Sequence, residues 1–289
     1  MNKRNVAIIG CGYIGQQVAE VFTTKGWVVH KIVRTPEDDM IAADVSDLSS
    51  MQKLAESIHP APPTHIVLAA SSGRGGVEAY RKVFVDGVTN IHQVFPDAHL
   101  IFTSSTSVYA QQNGEVVDEL SAALPDRETG KMLLEAERIV LEKQGTVLRL
   151  SGIYGPGRSV ILKKFLKGEA TIEEDGRRIL NQIHRDDAAT AYYHIANAET
   201  SKGEIYNVTD DVPTSQGDVM KALAAKFSRT VPESALRDLN RKRGWTHKAV
   251  SNKKIKALHS SGGIKSWVPS FSSFMDAVDE IAPTLNLET

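Results

Sequence analysis

The stretch VAIIGCGYIG, residues 6–15, sets three glycines between an apolar run and the start of a helical pattern. Gly10 permits a tight turn, Gly12 lets the backbone approach a pyrophosphate, and Gly15 lets the helix pack closely on the strand. The helix N-terminus then directs free N–H groups at the phosphates. This arrangement predicts a dinucleotide site. The loop residues predicted to bind the dinucleotide are Gly10, Cys11, Gly12, Tyr13, Ile14 and Gly15.

Arg34 bears on which dinucleotide is bound. It ends the second apolar run, KIVRT, where NAD-binding proteins carry an acidic residue for the ribose 2′-hydroxyl. A guanidinium can instead hold a 2′-phosphate through two hydrogen bonds and stack on adenine. We therefore expect NADP as the cofactor. NAD stays the alternative, because an arginine at a strand end can equally be a solvated surface residue.

These residues need a scaffold, and the first half of the chain alternates short apolar runs with amphipathic stretches of helix length. Runs rich in Val, Ile and Leu suit strands that are buried on both faces of a parallel sheet. The alternation predicts an α/β protein with a doubly wound parallel sheet, an NAD(P)-binding Rossmann fold. The predicted strands are 6–9, 28–33, 65–70, 99–103 and 146–150, and the predicted helices are 13–25, 47–58, 78–94 and 128–144.

The alternation changes after the turn GPGR at residues 155–158, which predicts a smaller C-terminal substrate lobe over the carboxyl edge of the sheet. The NAD(P)-binding domain is predicted to comprise residues 1–155, with 182–209 returning to it. Residues 156–181 and 210–289 form the predicted lobe. Its expected elements are a helix at 160–166, a hairpin at 170–181, a helix at 215–227 and a last helix around 271–281.

Composition narrows the class of protein. The 289 residues contain 34 Lys and Arg against 35 Asp and Glu, which gives no argument for binding nucleic acid or an anionic membrane. No run reaches the roughly 20 apolar residues of a membrane span. The single cysteine, Cys11, fits a reducing, cytoplasmic location. The histidines lack metal-ligand spacing, so no metal site is expected.

One basic segment stands out, RKRGWTHKAVSNKKIK at residues 241–256. In a chain of balanced charge, we interpret it as a solvated face or a patch for an anionic substrate.

The order of the motifs resembles the extended short-chain dehydrogenases/reductases, the epimerase/dehydratase branch that includes UDP-galactose 4-epimerase. Besides the glycine loop, similar segments follow along nearly the whole chain in the family's order. They are ADVSDL (43–48), VLAASSG (67–73), VDGVTNI (85–91), IFTSSTSVYA (101–110), LRLSGIYGPGR (148–158), NQIHRDDAATA (181–191) and YNVTDDVPT (206–214).

The resemblance implies further roles. Asp44 would meet the adenine, and Ala69, Ala70 and Ser71 would lie beside the cofactor at the end of a strand. Ser105 would orient the substrate oxygen. In the family, a Tyr-x-x-x-Lys pair completes the site: the lysine bonds the nicotinamide ribose and lowers the pKa of the tyrosine, which exchanges a proton with the substrate.

The stretch PDRETGKMLLEAE, residues 125–137, departs from that pair. Lys131 is retained and is implied to hold the ribose, but Arg127 stands where the resemblance places the tyrosine. An arginine stays protonated near neutral pH and exchanges no proton, although it can bind a carboxylate or phosphate. Two cations four residues apart repel on a helix, so we expect a nearby anion: Glu128, Glu135 or a ligand.

The proton carrier is therefore open. Tyr109, four residues after Ser105, is one candidate, beside a water or a substrate group, although it also matches a structural position of the family. Whether the protein turns over a substrate is open too.

Two functions fit the sequence. The first is an oxidoreductase or epimerase with an atypical active site, acting on a nucleotide-sugar-like, anionic small molecule. The alternative is a catalytically inactive NADP(H)-binding protein that reports the redox state to a partner. The absent tyrosine favours the alternative, whereas Ser105 and the substrate lobe favour the enzyme. The resemblance also implies a homodimer through the helix that carries Lys131.

Overall fold

A seven-stranded parallel sheet forms the centre of the protein. The computed structural model describes residues 4–73, 75–238 and 244–287. The strands of the sheet are β1 (Asn5–Ile9), β2 (Val28–Val33), β3 (Ile41–Ala42), β4 (His65–Leu68), β5 (His99–Ser105), β6 (Thr146–Leu150) and β7 (Ile205–Val208). Their order is β7-β6-β5-β4-β1-β2-β3, so the chain starts inside the sheet and winds outward to both edges. This confirms the doubly wound α/β fold. The two-residue strand β3 was not predicted.

Some helices cover the two faces of the sheet, and others lie beyond it. They are α1 (Tyr13–Thr24), α2 (Leu48–Ser57), α3 (residues 77–94, π-helical at Arg81–Asp86), α4 (Glu128–Glu142), α5 (Val160–Leu166), α6 (Arg185–Ala196), α7 (Gln216–Lys226), α8 (Lys253–Lys256) and α9 (Val278–Ile281). The predicted helices of the first half are confirmed within a few residues of their bounds.

The core follows from the alternation of side chains along each strand. Ile8 packs with α1 and α6 on one face of the sheet, whereas its neighbour Ile9 packs with α2, α3 and α4 on the other. Both faces are covered, so the strands read as continuous apolar runs. The carboxyl ends of β1, β4 and β5 are thereby held side by side.

A third apolar cluster forms beyond the sheet around α5, α7 and α9, with Leu162, Phe165, Leu223 and Ile281 fully buried or nearly so. It matches the region predicted for the lobe. Ile255, Leu258 and Trp267 instead pack with α1 and α6, although the predicted boundary puts them in the lobe. The division into two domains stays a prediction.

The hairpin predicted at 170–181 is wrong. Ile172–Glu173 pairs in parallel with Ser234–Ala235, and Ile179–Leu180 pairs antiparallel with Thr214–Ser215. Each half therefore finds its partner far along the chain. The last helix is also shorter than predicted: Phe274–Ala277 forms a 3₁₀ turn before α9.

The remaining short strands also pair over long distances: Glu115–Val117 with Lys248–Val250, and Gly152–Tyr154 with Gln182–His184. Within the described ranges, no helix has both the length and the apolar character needed to cross a membrane.

Candidate active site

The three loop glycines have three different surroundings. Gly10 has a φ of +95°, and a Cβ there would lie 2.3 Å from Ala70 Cα. A Cβ on Gly15 would lie 2.0 Å from the carbonyl oxygen of Gly10, whereas a Cβ on Gly12 would meet nothing within 4 Å. Gly10 and Gly15 are therefore required by packing, and Gly12 faces open space. Gly12 also begins α1 without a side-chain cap, so the helix N–H groups there are available to an anion.

A cavity of about 260 Å³ opens at this loop. Its other walls are the carboxyl ends of β4, β5 and β6. The predicted cofactor residues that line it are Gly10, Gly12, Tyr13, Ile14, Ala69, Ala70 and Ser71.

Two loop residues do not line this cavity. Cys11 is buried, its Sγ donates to Ile8 O at 3.5 Å, and burial raises its thiol pKa to about 11. Its side chain belongs to the core beneath the loop, so contact with a dinucleotide would come through its backbone. Gly15 serves the contact between α1 and the turn.

Arg34 and Asp44 also lie apart from the walls of this cavity. Arg34 is exposed and directly follows β2. Asp44 is half-buried and accepts hydrogen bonds from Ser46 N and Ser46 Oγ at 2.9 and 2.7 Å. Their contacts with ribose and adenine stay predictions.

Ser105, the last residue of β5, lies where this cavity meets a second, larger one of about 950 Å³. Ser105, Ser151 and Ile153 line both cavities. Ser105 Oγ accepts from Ser107 N at 3.2 Å and keeps its own proton to donate. Ser151 Oγ is buried without a hydrogen-bond partner among the described residues. Two hydroxyl groups are thus placed at the junction.

Lys131 is not brought to this junction. Its Nζ lies 2.6 Å from Glu128 Oε1, and its side chain is 54% exposed. The buried face of α4 is formed by Gly130, Leu133 and Ala136, and Leu133 lines the first cavity. Since Lys131 lies two positions from Leu133, about 200° around the helix, it faces solvent. The expected nearby anion is Glu128.

Arg127 does not share a helix face with Lys131, and that expectation is wrong. Arg127 is the N-cap of α4, with extended backbone at φ −95° and ψ 139°, so the helix begins one residue later. Its side chain is exposed and lines a small cavity beside Ser107 and Thr246. Both of those residues also line the larger cavity.

Lys131→Met is expected to change the affinity for NADH and NADPH by less than about threefold, because the Lys131 side chain faces solvent and not the cavity. Its exposed ion pair with Glu128 contributes little to stability, so the fold should be retained. Calorimetry on the variant and the wild type measures it. Lys143→Met, on the same helix's C-cap, is the control. A loss of about tenfold or more would mean that Lys131 turns toward the ribose when the cofactor binds.

Tyr109 is placed in the core rather than at the junction. It is fully buried, and its hydroxyl bonds Asn207 Oδ1 at 3.0 Å and the Arg149 guanidinium at 2.8 Å. Burial raises the pKa of this phenol. The structure therefore argues against Tyr109 as the proton carrier. Tyr109 lines neither cavity, and its hydroxyl is hydrogen-bonded to Asn207 and Arg149.

Charged residues that the sequence reasoning did not assign line the larger cavity. They are Lys164, Arg178 and Lys248, with Glu173 and Asp238. Burial, and secondly the charge of Arg178, lowers the pKa of Lys248 to about 8. Lys248 belongs to the basic segment 241–256, of which residues 241–243 lie outside the described residues. In the sequence, the only indication of a role for Lys248 was its place in this segment, which we interpreted as a solvated face or a patch for an anionic substrate.

Comparison with known proteins shows the family to which this chain belongs. The family model of the NAD dependent epimerase/dehydratase family matches residues 6–209. Protein YeeZ of Escherichia coli K12 is 30% identical over 221 residues, covering 71% of this chain and 77% of its own.

Solved structures of other proteins have the same fold as this chain. One described as an NAD-dependent epimerase/dehydratase from Methylobacillus flagellatus has a TM-score of 0.69 and 26% identity, over 87% of this chain and 90% of its own. The dTDP-glucose 4,6-dehydratase of Bacillus anthracis, in complex with NAD, has a TM-score of 0.76 and 16% identity, over 97% and 96%. The matched region contains the glycine loop, the strand that ends in Ser105 and the strand that leads to Ser151. The chain therefore belongs to the NAD-dependent epimerase/dehydratase family.

Proposed function

We propose that this protein is an NAD(P)-dependent oxidoreductase or epimerase acting on a nucleotide-sugar-like, anionic substrate at an atypical active site. The observation that carries the proposal is the junction of two cavities at Ser105 and Ser151. One cavity has the glycine loop as its wall, and the other is large and lined by three cations and two carboxylates. A cofactor in the first and a substrate in the second would meet at these hydroxyls.

The residues present fit a dinucleotide. The open space at Gly12 and the uncapped N-terminus of α1 suit a pyrophosphate, and Ala69, Ala70 and Ser71 leave a small-residue wall beside it. A bound nicotinamide would supply or accept a hydride. Ser105 Oγ would donate to the substrate oxygen and so fix the carbon that reacts.

The larger cavity suits an anion. Its walls carry three cations, Lys164, Arg178 and Lys248, against two carboxylates, one of which, Glu173, lies 3.6 Å from Arg178 in an ion pair. Its volume of about 950 Å³ is ample for a ligand of nucleotide-sugar size. The Bacillus anthracis structure is named for a sugar nucleotide, dTDP-glucose. We propose residues 156–181 and 210–289 as the substrate lobe, and residues 1–155 with 182–209 as the cofactor domain.

The experiment starts with calorimetry on protein stripped of nucleotide, titrated with NADPH and NADH. UDP-glucose and dTDP-glucose are then added with the oxidised cofactor, and nicotinamide absorbance and sugar products are followed. Cofactor binding with conversion of a sugar nucleotide supports the enzyme. Binding without conversion supports the alternative, an inactive NADP(H)-binding sensor, which the substitution of Arg127 for the family's tyrosine favours. Absence of cofactor binding would contradict both.

The proposed preference for NADP rests on Arg34. Arg34→Asp is expected to reduce the ratio of NADPH to NADH affinity by about tenfold or more, since one charge-assisted contact of about 1.5–3 kcal/mol is replaced by repulsion. Arg34 is exposed, so the fold should be unaffected. Lys53→Asp, on exposed surface of α2, is the control for a general charge effect. An unchanged ratio of NADPH to NADH affinity would mean that Arg34 does not contact the 2′-phosphate, and NAD would be left as the cofactor.

A further inference from the structure

We propose that Lys248 is the residue that exchanges a proton with the substrate oxygen, in the role that the family gives to the absent tyrosine. The inference rests on the proposed function and assigns the proton carrier of that same site.

Lys248 is held at the wall of the larger cavity by two hydrogen bonds. It is 3% exposed and begins the short strand Lys248–Val250. Its Nζ donates to Tyr109 O at 2.7 Å and lies 3.0 Å from Thr246 Oγ1. Tyr109 O belongs to the segment that continues from Ser105, so the amine is tied to the same loop as the substrate-orienting hydroxyl. Lys248 and Ser105 both line the larger cavity.

The two hydrogen bonds of the Lys248 amine leave one position on its nitrogen for proton exchange. A neutral amine has two N–H groups and one lone pair, and an ammonium has three N–H groups. Tyr109 O and Thr246 Oγ1 engage two of them, and Lys248 has no further hydrogen-bond partner in the described part of the chain. The third position can therefore take a proton when neutral or give one when charged.

The step balances with the cofactor's chemistry. When a substrate alcohol is oxidised, its hydroxyl would lose a proton to the Lys248 lone pair and its carbon would lose a hydride, for which a bound oxidised nicotinamide dinucleotide would be the acceptor. The carbon–hydrogen and oxygen–hydrogen bonds of the substrate would break, and a carbonyl, a reduced nicotinamide and an ammonium would form. The reverse step returns that proton to the carbonyl oxygen. Ser105 only donates a hydrogen bond throughout.

The electrostatic surroundings keep both protonation states accessible. Burial first, and then the charge of Arg178, bring the pKa of Lys248 to about 8, close to working pH, where a proton carrier is most effective. The other charged groups on the wall of the larger cavity are Lys164, Glu173 and Asp238, and Glu115 is the register partner of Lys248 on the neighbouring strand. His247 precedes it, and its Nδ1 accepts from Ile179 N at 3.1 Å. None of these carboxylates forms an ion pair with Lys248 within the described residues.

A purely structural lysine is the competing explanation, because the amine also satisfies Tyr109 O. The two explanations differ in reactivity. We would label the wild-type chain with trace acetic anhydride between about pH 6 and about pH 11 and quantify each lysine by peptide mass spectrometry. The expected midpoint for Lys248 is about 8, against about 10.4 for an ordinary lysine side chain. A midpoint in the surface range, or no labelling at any pH, would overturn the proposal.

Variants then separate proton exchange from charge. With a sugar nucleotide that the wild type converts, Lys248→Met and Lys248→Arg are both expected to lose about 100-fold or more in kcat, with NADH affinity retained as evidence of folding. Lys53→Met, on the exposed surface of α2, should match the wild type. An active Lys248→Arg would overturn the inference, since arginine preserves charge but exchanges no proton. A wild type that converts no sugar nucleotide contradicts the proposed function instead, while the labelling midpoint is read independently.

Discussion

Gly12→Val is expected to weaken the binding of NADH and NADPH by at least about 100-fold, the equivalent of two lost hydrogen bonds to a charged group at about 1.5–3 kcal/mol each. A Cβ at Gly12 would meet no protein atom within 4 Å, so the valine would extend into the space proposed for the pyrophosphate. The backbone, at φ −81°, accepts a side chain. Calorimetry measures the affinity, and thermal unfolding should show a loss of only about 1 kcal/mol, the effect of a poorer N-cap.

Gly76→Val is a matched control for this prediction. Gly76 is also an N-cap, with φ −81° and ψ −156°, and a Cβ there would likewise meet nothing within 4 Å. It does not line the cavity at the glycine loop. The control should therefore bind dinucleotide like the wild type. If Gly12→Val retains full affinity, the pyrophosphate does not lie on the glycine loop.

Arg149→Met is expected to destabilise the fold by about 3–5 kcal/mol, because it leaves a buried carboxylate without its cation. Arg149 on β6 donates to both oxygens of Glu137 on α4, at 3.0 and 2.6 Å, and to Tyr109 Oη at 2.8 Å. The charged side chains are 5% and 3% exposed. Chemical denaturation followed by circular dichroism gives the free energy of unfolding.

Two further variants test the cause. Glu137→Met with Arg149→Met removes both charges and should recover most of the loss, since a buried ion pair replaced by apolar residues is often neutral. Arg138→Met breaks an exposed pair with Glu142 on the same helix and should cost at most about 0.5 kcal/mol. If Arg149→Met behaves like Arg138→Met, the buried network does not contribute to stability. A double variant as unstable as the single one would assign the loss to packing.

The position of Lys248 changes how the absent tyrosine is understood. Tyr109, the side chain that the sequence offered as proton carrier, is buried in the core, and Arg127, which stands at the place of the tyrosine, is the N-cap of α4. Neither exchanges a proton at the junction of the two cavities. Among the described residues, Lys248 is the one deeply buried amine that lines the larger cavity, and it lies in the second half of the chain.

The sequence by itself determined the doubly wound fold class and the glycine loop. Strand and helix periods depend on residues a few positions apart, and apolar runs in an alternating order specify a doubly wound sheet almost without long-range information. Gly10 and Gly15 act through the turn they form and the strand ends beside it, which is why the packing around them agrees with their predicted roles.

Tertiary structure alone decided which charged side chains face the site. Lys131 could be assigned to the ribose by motif, but α4 begins one residue after Arg127 and turns its Gly130 and Leu133 face to the sheet, leaving Lys131 in solvent. Lys248 reaches Tyr109 O across 139 residues of sequence. Such a contact depends on strand pairing far along the chain, and no local period encodes it. The same reason explains the wrong hairpin at 170–181, where each short strand pairs with a distant partner.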